Sequence, residues 1–496
     1  MMTTKTHAAL IASPGLGHLI PTVELGKRLT THHGFHVTIF VVTTATNSSK
    51  TTKSPILQQT SNLNGLDIIV TPPVDVSNKL DSKNPPLVLT IGLTMIESLP
   101  FIRSKILSMK FPPSVLIVDL FGTIALPMAR DLHMSTYVFF TTNAWFNAVT
   151  MYFPFITNEA FSRHANNHEP LLIPGCEPVR FDDTLEIFVS PCRPLHEGYV
   201  NAARDILSVD GILMNTWKDL EPGTTHAVID NDILGQFAKG PVYPVGPIVR
   251  TVEPVEKKEG QSENFIFSWL DRQPAESVIY LSFGSGGTMS EVQMRELAHG
   301  LELSQQRFVW VVRHPAQGDP SAAFFDTTKG GDEMMVEDYL PEGFVSRMKD
   351  VGICVPFWAS QAGILKHPAT GGFVTHCGWN SVLESILNGV PMVAWPLYAE
   401  QKMNATMLSE ELGVAVRATA AEGEVIFREQ IADVIRRVMV DEEGIAMRIK
   451  VKEYKVSGEK ALSMFGSSHK SLCQMAKDCK FHDLNQSSDE VKARGA

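Results

Sequence analysis

Cysteine is sparse in this chain, and what there is stands apart. The six cysteines, Cys176, Cys192, Cys354, Cys377, Cys473 and Cys479, include no CxxC pair, which excludes a zinc framework of the usual spacing and a disulfide scaffold. A reducing compartment fits such a chain. Positive charge is also in deficit: 43 Lys+Arg stand against 54 Asp+Glu, a net charge of −11. That balance opposes a nucleic-acid partner, because phosphate-backbone affinity comes from clustered cations, but it leaves a local anion pocket open. Long apolar runs are missing as well. Residues 8–12 fall short of the ~7–15 apolar residues of a signal-peptide core. The stretch 115–128 is interrupted by Asp119, Gly122 and Pro127 and does not reach the ~20 residues of a spanning helix. The expectation is a soluble, cytoplasmic protein without integral membrane association, in which the sequons at Asn47, Asn404 and Asn485 are chance matches.

What is present is enough for two cores. At ~100–200 residues per domain, 496 residues with 44% hydrophobic content point to two large domains. Short apolar runs alternate with helical patterns, the mark of a parallel α/β architecture. Residues 8–12, 37–42, 115–118 and 211–214 read as strands in the first half. Residues 278–281, 308–312, 372–375, 391–395 and 414–416 do so in the second. Their near-continuous apolarity suggests strands covered on both faces. One opening occurs twice: strand 8–12 runs into Pro14-Gly15-Leu16-Gly17-His18, and strand 278–281 into Gly284-Ser285-Gly286-Gly287, each before a helical pattern. Ser290 with Gln293 suits a capping box, and Met294, Leu297, Ala298 and Leu301 share a helix face. Two Rossmann-like domains in tandem are expected, 1–248 and 265–460, joined by a polar linker over 249–264. Residues 317–337 read as a long surface loop.

Several familiar chemistries are absent. Gly15-x-Gly17 is followed by Ile20 and Gly284-x-Gly286 by Met289, so neither is a complete dinucleotide fingerprint, and Walker A, HExxH and GxSxG patterns do not occur. No acidic cluster of the usual metal-binding type is evident, so no metal is expected. Glycine loops still bring backbone amides to a ligand at a helix N-terminus. His18 closes the first loop, and Asp119 ends strand 115–118, so both fall at the carboxyl edge where open α/β sheets hold ligands. A histidine that accepts a proton needs a carboxylate on its other ring nitrogen, and this pair could supply both. The alternative is that His18 caps a turn and Asp119 the next helix. The densest constellation runs from 358 to 401. Strand 372–375 delivers His376-Cys377-Gly378-Trp379-Asn380-Ser381, and Ser381 with Glu384 has capping-box spacing. A helix start with free amides, its dipole and His376 would suit a diphosphate. Trp358 could stack a flat base, Gln361 pair with its edge, and Glu400-Gln401 bond adjacent hydroxyls. The alternative reading is a simple helix cap with tryptophans in the core.

The run Trp358-Ala-Ser-Gln361, His376-Cys-Gly-Trp-Asn-Ser381, Glu384, Gly389-Val-Pro391, Trp395-Pro396 and Glu400-Gln401 closely resembles the signature of plant secondary-product glycosyltransferases, the UDP-sugar-dependent family-1 enzymes of GT-B fold. Phe283-Gly-Ser-Gly-Gly-Thr288 and the run from Pro396 to Ala405 are most similar to the hydroquinone and monolignol glucosyltransferase branch. The resemblance implies two Rossmann-like domains whose parallel sheets face a central cleft, with a tail, 461–496, crossing back to the amino-terminal domain. It implies a carboxyl-terminal domain that holds UDP-glucose as co-substrate, with no cofactor. Trp358 would stack uracil, Ala359 and Gln361 meet its edge, and Glu384 take the ribose hydroxyls. Ser285, His376, Asn380 and Ser381 would bind the diphosphate, while Trp379, Tyr398, Glu400 and Gln401 lie near the sugar or acceptor. His18 would be the general base and Asp119 its partner. The phenolic acceptor would be lined by segments around Leu16, Phe121, 143–146, Phe188 and Tyr398.

Ser360 stands where the family usually has proline, a loss of fixed φ, and Gln401 rather than histidine favours glucose. The function expected is inverting, metal-independent transfer of glucose to a hydroxyl of a small phenolic acceptor by a monomer. Two rivals are a non-catalytic binder of UDP-sugars or phenolics and a nicotinamide-dependent reductase.

Overall fold

The structure, a computed structural model, describes residues 5–45, 57, 63–80, 85–189, 193–250, 261–316, 321, 336–356, 358–420 and 424–494. The chain divides into two compact units, Met1–Ile248 with Lys460–Ala496, and Val249–Glu459.

The amino-terminal unit is built on seven parallel strands: β1 His7–Ala12, β2 His36–Val41, β3 Leu66–Val70, β4 Val115–Val118, β5 Ser135–Phe140, β6 Gly211–Met214 and β7 Val242–Pro244. Their order is β3-β2-β1-β4-β5-β6-β7. Chain order reverses between β1 and β4, so the gap beyond their carboxyl ends is the place where such a sheet holds ligands. Residues Ala8 to Ala12 are wholly buried, which is why β1 reads as an unbroken apolar run rather than an alternating one. The chain returns to this unit at its end. Leu472, Met475, Ala476 and Cys479 of the helix Ser467–Arg494 enter the core under β1 and β4, and the Tyr243 hydroxyl on β7 donates to Asp478.

The carboxyl-terminal unit repeats the plan with six strands: β8 Val278–Ser282, β9 Arg307–Val312, β10 Gly352–Pro356, β11 Thr370–Thr375, β12 Met392–Ala394 and β13 Ala415–Arg417, in the order β10-β9-β8-β11-β12-β13. Here the reversal falls between β8 and β11. Met294, Leu297, Ala298 and Leu301 of the helix Glu291–Ser304 pack on this sheet as their spacing predicts. Only half of the expected capping box forms. Ser290 accepts from the Gln293 amide at 3.2 Å, but the Gln293 carboxamide turns inward to bond both backbone groups of Ile426. Leaving those groups buried and unpaired would cost more than a cap bond supplies.

Four strands escape a reading by apolar runs. β3 carries Asp67 and lies at the sheet edge, β5 opens on Ser135 and Thr136, β7 has three residues, and β10 is an edge strand ending in Pro356. Residues 251–260 of the expected linker lie outside the described residues, and 261–264 are not linker. They form the polar first turn of the helix Gln261–Leu270, which Ile266, Trp269 and Leu270 anchor in the core. Residues 317–320 and 322–335 of the expected surface loop also lie outside the described residues. Among the described residues one helix, Leu87–Ser108, is long and apolar enough to cross a membrane by length and composition, outside the stretch 115–128. Its Ile91, Met95, Ile102 and Ile106 are buried in the amino-terminal unit, and it carries Glu97, Arg103 and Lys105. Asn404, in a sequon, is wholly buried, so the folded chain offers no acceptor amide there.

Candidate active site

Each unit places its candidate residues at its own reversal point. In the amino-terminal unit the loop after β1 enters the helix Leu16–His33 with Gly15 as N-cap and His18 in the first turn. Asp119 follows β4 directly. His18 Nδ1 lies 3.1 Å from Asp119 Oδ2; the imidazole is partly accessible, whereas the carboxylate is buried. Asp119 also caps the turn Leu120–Ala125 by accepting from the Gly122 amide at 2.9 Å, so it pairs and caps at once, whereas His18 caps no turn: Gly15 is the N-cap of its helix. The Ser13 hydroxyl donates to the same oxygen at 2.6 Å. Burial alone would raise this carboxyl's pKa, but His18, Ser13 and Gly122 outweigh it and hold Asp119 below the usual carboxylate range. The Phe121 ring meets the imidazole edge-on at 5.2 Å and fixes its plane. Such a site can take a proton on the outer ring nitrogen and stabilise the resulting cation.

The segment 141–146, next along the same sheet edge, is held by a buried carboxylate. Glu221 accepts from the amides of Ala144 and Trp145 at 3.0 and 3.1 Å and from the Thr216 hydroxyl, while Asn143 caps the helix Ala144–Tyr152 through the Phe146 amide. Burial pushes Glu221 upward in pKa despite these donors. Leu16 and Phe121 keep partial exposure, as residues that line a pocket should. Phe188 does not: it is buried against Phe153 at 4.8 Å and Tyr199 at 5.7 Å, within an aromatic cluster behind that surface.

In the carboxyl-terminal unit β8 ends on the Gly284-Ser285 loop and β11 on His376. The His376 ring is held in a slot between two glycines. A Cβ on Gly284 would come within 2.6 Å of it and one on Gly378 within 2.4 Å, and Gly284 has φ +76°. Burial pushes the His376 pKa down to about 4, so the ring is neutral at pH 7, and Nδ1 has no hydrogen-bond partner among the described residues. Next to it Cys377 adopts φ +64°, its carbonyl held by the Asn404 amide at 2.8 Å. Arg313, after β9, braces the facing loop by donating to the carbonyls of Gly284, at 3.1 Å, and Ser285. The expected Ser381/Glu384 capping box is not present. The helix Trp379–Asn388 begins three residues earlier than that box requires, with Gly378 as N-cap and no side-chain cap, so Ser381 sits inside the first turn.

Ser381 and Glu384 instead meet Gln361, whose Nε2 donates to Ser381 Oγ at 3.0 Å and to Glu384 Oε2 at 2.7 Å. Burial raises the Glu384 pKa, and the Gln361 bond and the charge of Arg250 work against it. Trp358 leaves β10 with an exposed indole, suited to stacking, above the buried Ala359. Ser360 has φ −69°, the value proline would fix, so the loop keeps the backbone that the missing proline would impose. Tyr398 is partly exposed, and Ala399 turns the chain with φ +56° into Glu400, the N-cap of the helix Gln401–Thr406. Gln401 Oε1 accepts from the amides of Leu397 and Tyr398 at 2.9 and 3.0 Å, which leaves only its NH2 to present. Trp379 is buried, and Asn380 stands beside it in the first turn of its helix. Ser13, Arg313 and Asn404 were not anticipated, since each acts through backbone or carboxylate contacts that leave no spacing signal.

His376 and His33 are both held neutral with pKa values near 4, by burial in each case and at His33 also by the neighbouring His469. Between pH 6.5 and 4 the unfolded chain binds protons there that the folded chain refuses. Stability is therefore complete above about pH 6.5 and declines as pH falls towards 4, by roughly a few kcal/mol in total. Urea unfolding across this range should show the decline, and His33→Gln should flatten it; an unchanged slope would contradict the assignment.

A family model described as "UDP-glucoronosyl and UDP-glucosyl transferase" matches residues 243–449. The chain is 47% identical over 481 residues to UDP-glycosyltransferase 72E2 of Arabidopsis thaliana, covering 97% of each chain. It is 40% identical to the hydroquinone glucosyltransferase of Rauvolfia serpentina, covering 97% of this chain and 99% of that one. Among solved structures, UGT2 of Phytolacca americana, complexed with UDP-2fluoro-glucose and pterostilbene, superposes with a TM-score of 0.81 at 36% identity, over 96% of this chain and 100% of that chain.

Proposed function

The chain belongs to the plant family-1 UDP-glycosyltransferases, enzymes that glycosylate small phenolics, and from that premise we propose that it transfers glucose from UDP-glucose to a phenolic hydroxyl with inversion. The observation that carries the mechanism is the 3.1 Å approach of His18 Nδ1 to the buried Asp119 carboxylate. With Nδ1 engaged, the outer nitrogen takes the acceptor's proton as the oxygen attacks the anomeric carbon. The bond from that carbon to the diphosphate oxygen breaks, UDP departs with the electron pair, and an α-linked donor yields a β-glucoside. Asp119 offsets the imidazolium charge, a general-base contribution of roughly 10²–10⁴-fold.

The donor is assigned to the carboxyl-terminal unit. Trp358 stacks the uracil, with Ala359 and Gln361 at its edge, and Glu384, oriented by Gln361, takes the ribose hydroxyls. Ser285, His376, Asn380, Ser381 and the first-turn amides after Gly378 receive the diphosphate. Fixed N–H dipoles beside the His376 ring meet the charge on the leaving group. Trp379, Tyr398, Glu400 and the Gln401 NH2, which can donate to a sugar hydroxyl, serve the sugar.

The test is UDP release from UDP-glucose and UDP-galactose against a panel of phenols, with products characterised by NMR. Phenol-dependent UDP release with a β-linked glucoside is expected. An α-glucoside, or release that ignores the phenol, would overturn the mechanism.

A further inference from the structure

We propose that Ser13 is a positioning residue that completes a Ser13–Asp119–His18 relay, an inference that rests on His18 being the general base. Ser13 follows β1 and is 2% exposed. Its hydroxyl donates to Asp119 Oδ1 at 2.6 Å and its amide to Oδ2 at 3.3 Å. A carboxylate offers about four acceptor positions. In Asp119, Oδ1 receives Ser13 Oγ and the Gly122 amide, while Oδ2 receives the Ser13 amide and faces His18 Nδ1. Both donor groups of Ser13 are therefore used on one buried acid.

This arrangement does two things for the base. It fixes the plane of the carboxylate, so that Oδ2 stays beside the imidazole of the following helix. It also spreads the negative charge towards Oδ1. Among the described residues, His18, on the helix Leu16–His33, is the titratable group facing Asp119; Ser13 after β1 and the amide of Gly122 on the turn after β4 are uncharged donors. Removing the hydroxyl concentrates charge on the carboxylate and makes it more basic. The imidazolium is then held more tightly, and a higher pH is needed before His18 is free to accept a proton.

A merely structural serine would be needed equally by every acceptor; a residue acting through the base matters only where a proton must be removed. Ser13→Ala is therefore compared with the unaltered enzyme and with His18→Ala, using UDP-glucose and two acceptors. One is a phenol of ordinary acidity, and the other a nitrophenol ionised at the assay pH. The expected result is a loss of about ten-fold in kcat/KM on the ordinary phenol, near the worth of one hydrogen bond to a charged group. The acid limb of the pH profile moves to higher pH, KM for UDP-glucose is unchanged, and the nitrophenol is turned over almost normally. Ser13→Thr, which keeps the hydroxyl, restores the profile, and Ser13→Cys, a weaker donor, carries the same comparison if the alanine variant does not fold. Equal losses on both phenols, or an unmoved acid limb, overturn the proposal while His18→Ala keeps its large loss on the ordinary phenol. Full activity of His18→Ala on the ordinary phenol overturns the base assignment and the relay with it.

Discussion

His18→Ala is expected to lower kcat/KM for a phenol of ordinary acidity by roughly 10²–10⁴-fold and to leave UDP affinity unchanged. The two effects separate because His18 lies in the amino-terminal unit, whereas the residues proposed to hold UDP all lie in Val249–Glu459. Loss of the imidazole removes only a proton acceptor, so the deficit should shrink as the acceptor becomes more acidic and vanish for one already ionised. Asp119→Asn should behave differently. The amide keeps the shape of the group, but it carries no charge and can present an NH2 to Nδ1, which turns the imidazole to the wrong tautomer. It also disturbs the contacts with Ser13 and Gly122, so a fall in thermal stability should accompany the loss of rate. Calorimetric titration with UDP and initial rates on three phenols of graded acidity would settle both. A loss that is uniform across the phenols, or a matching loss of UDP affinity, would contradict a general base at His18.

The dyad was legible in the sequence because it depends on local events. An apolar strand that stops on His18's glycine loop and another that stops on Asp119 place both at a carboxyl edge, and the tandem openings at β1 and β8 identify the two reversal points. Contacts that cross the sheet were not legible. Nothing in the spacing of Ser13 and Asp119, 106 positions apart, announces a 2.6 Å hydrogen bond, and only the β1–β4 pairing creates it. Ser381 and Glu384 show the converse. Three-residue spacing suggested a cap, yet the αL turn at Cys377 starts the helix on Gly378, and both side chains are drawn to Gln361 from the preceding strand–helix connection. Edge strands such as β3 and β10 were missed for a related reason. A strand with one open side does not need an unbroken apolar run, so its residues resemble a loop.

Gly284→Ala is expected to weaken UDP binding by about a hundred-fold or more, nearly 3 kcal/mol, in a protein that still folds. Two costs are combined at this position. The backbone at φ +76° is one that an L side chain adopts at roughly 1–2 kcal/mol, and the new methyl would lie 2.6 Å from the His376 ring. The ring has little room to retreat, because it is packed closely against Gly378 as well. The loop has little room either, since Arg313 holds the Gly284 and Ser285 carbonyls. Whichever gives way, His376 and the loop amides lose their common aim at the diphosphate. Gly343→Ala separates the two costs: it has φ +69° and meets only the end of Arg347 at 3.0 Å, so it should lose comparable stability with UDP affinity intact. A second comparison isolates the clash. His376→Ala empties the slot, so adding Gly284→Ala to it should weaken binding far less than it does in the unaltered protein, and the two effects should be strongly non-additive. Simple additivity, or a Gly284→Ala protein that binds UDP normally, would mean that the ring between the glycines is packing alone and that the diphosphate is held elsewhere.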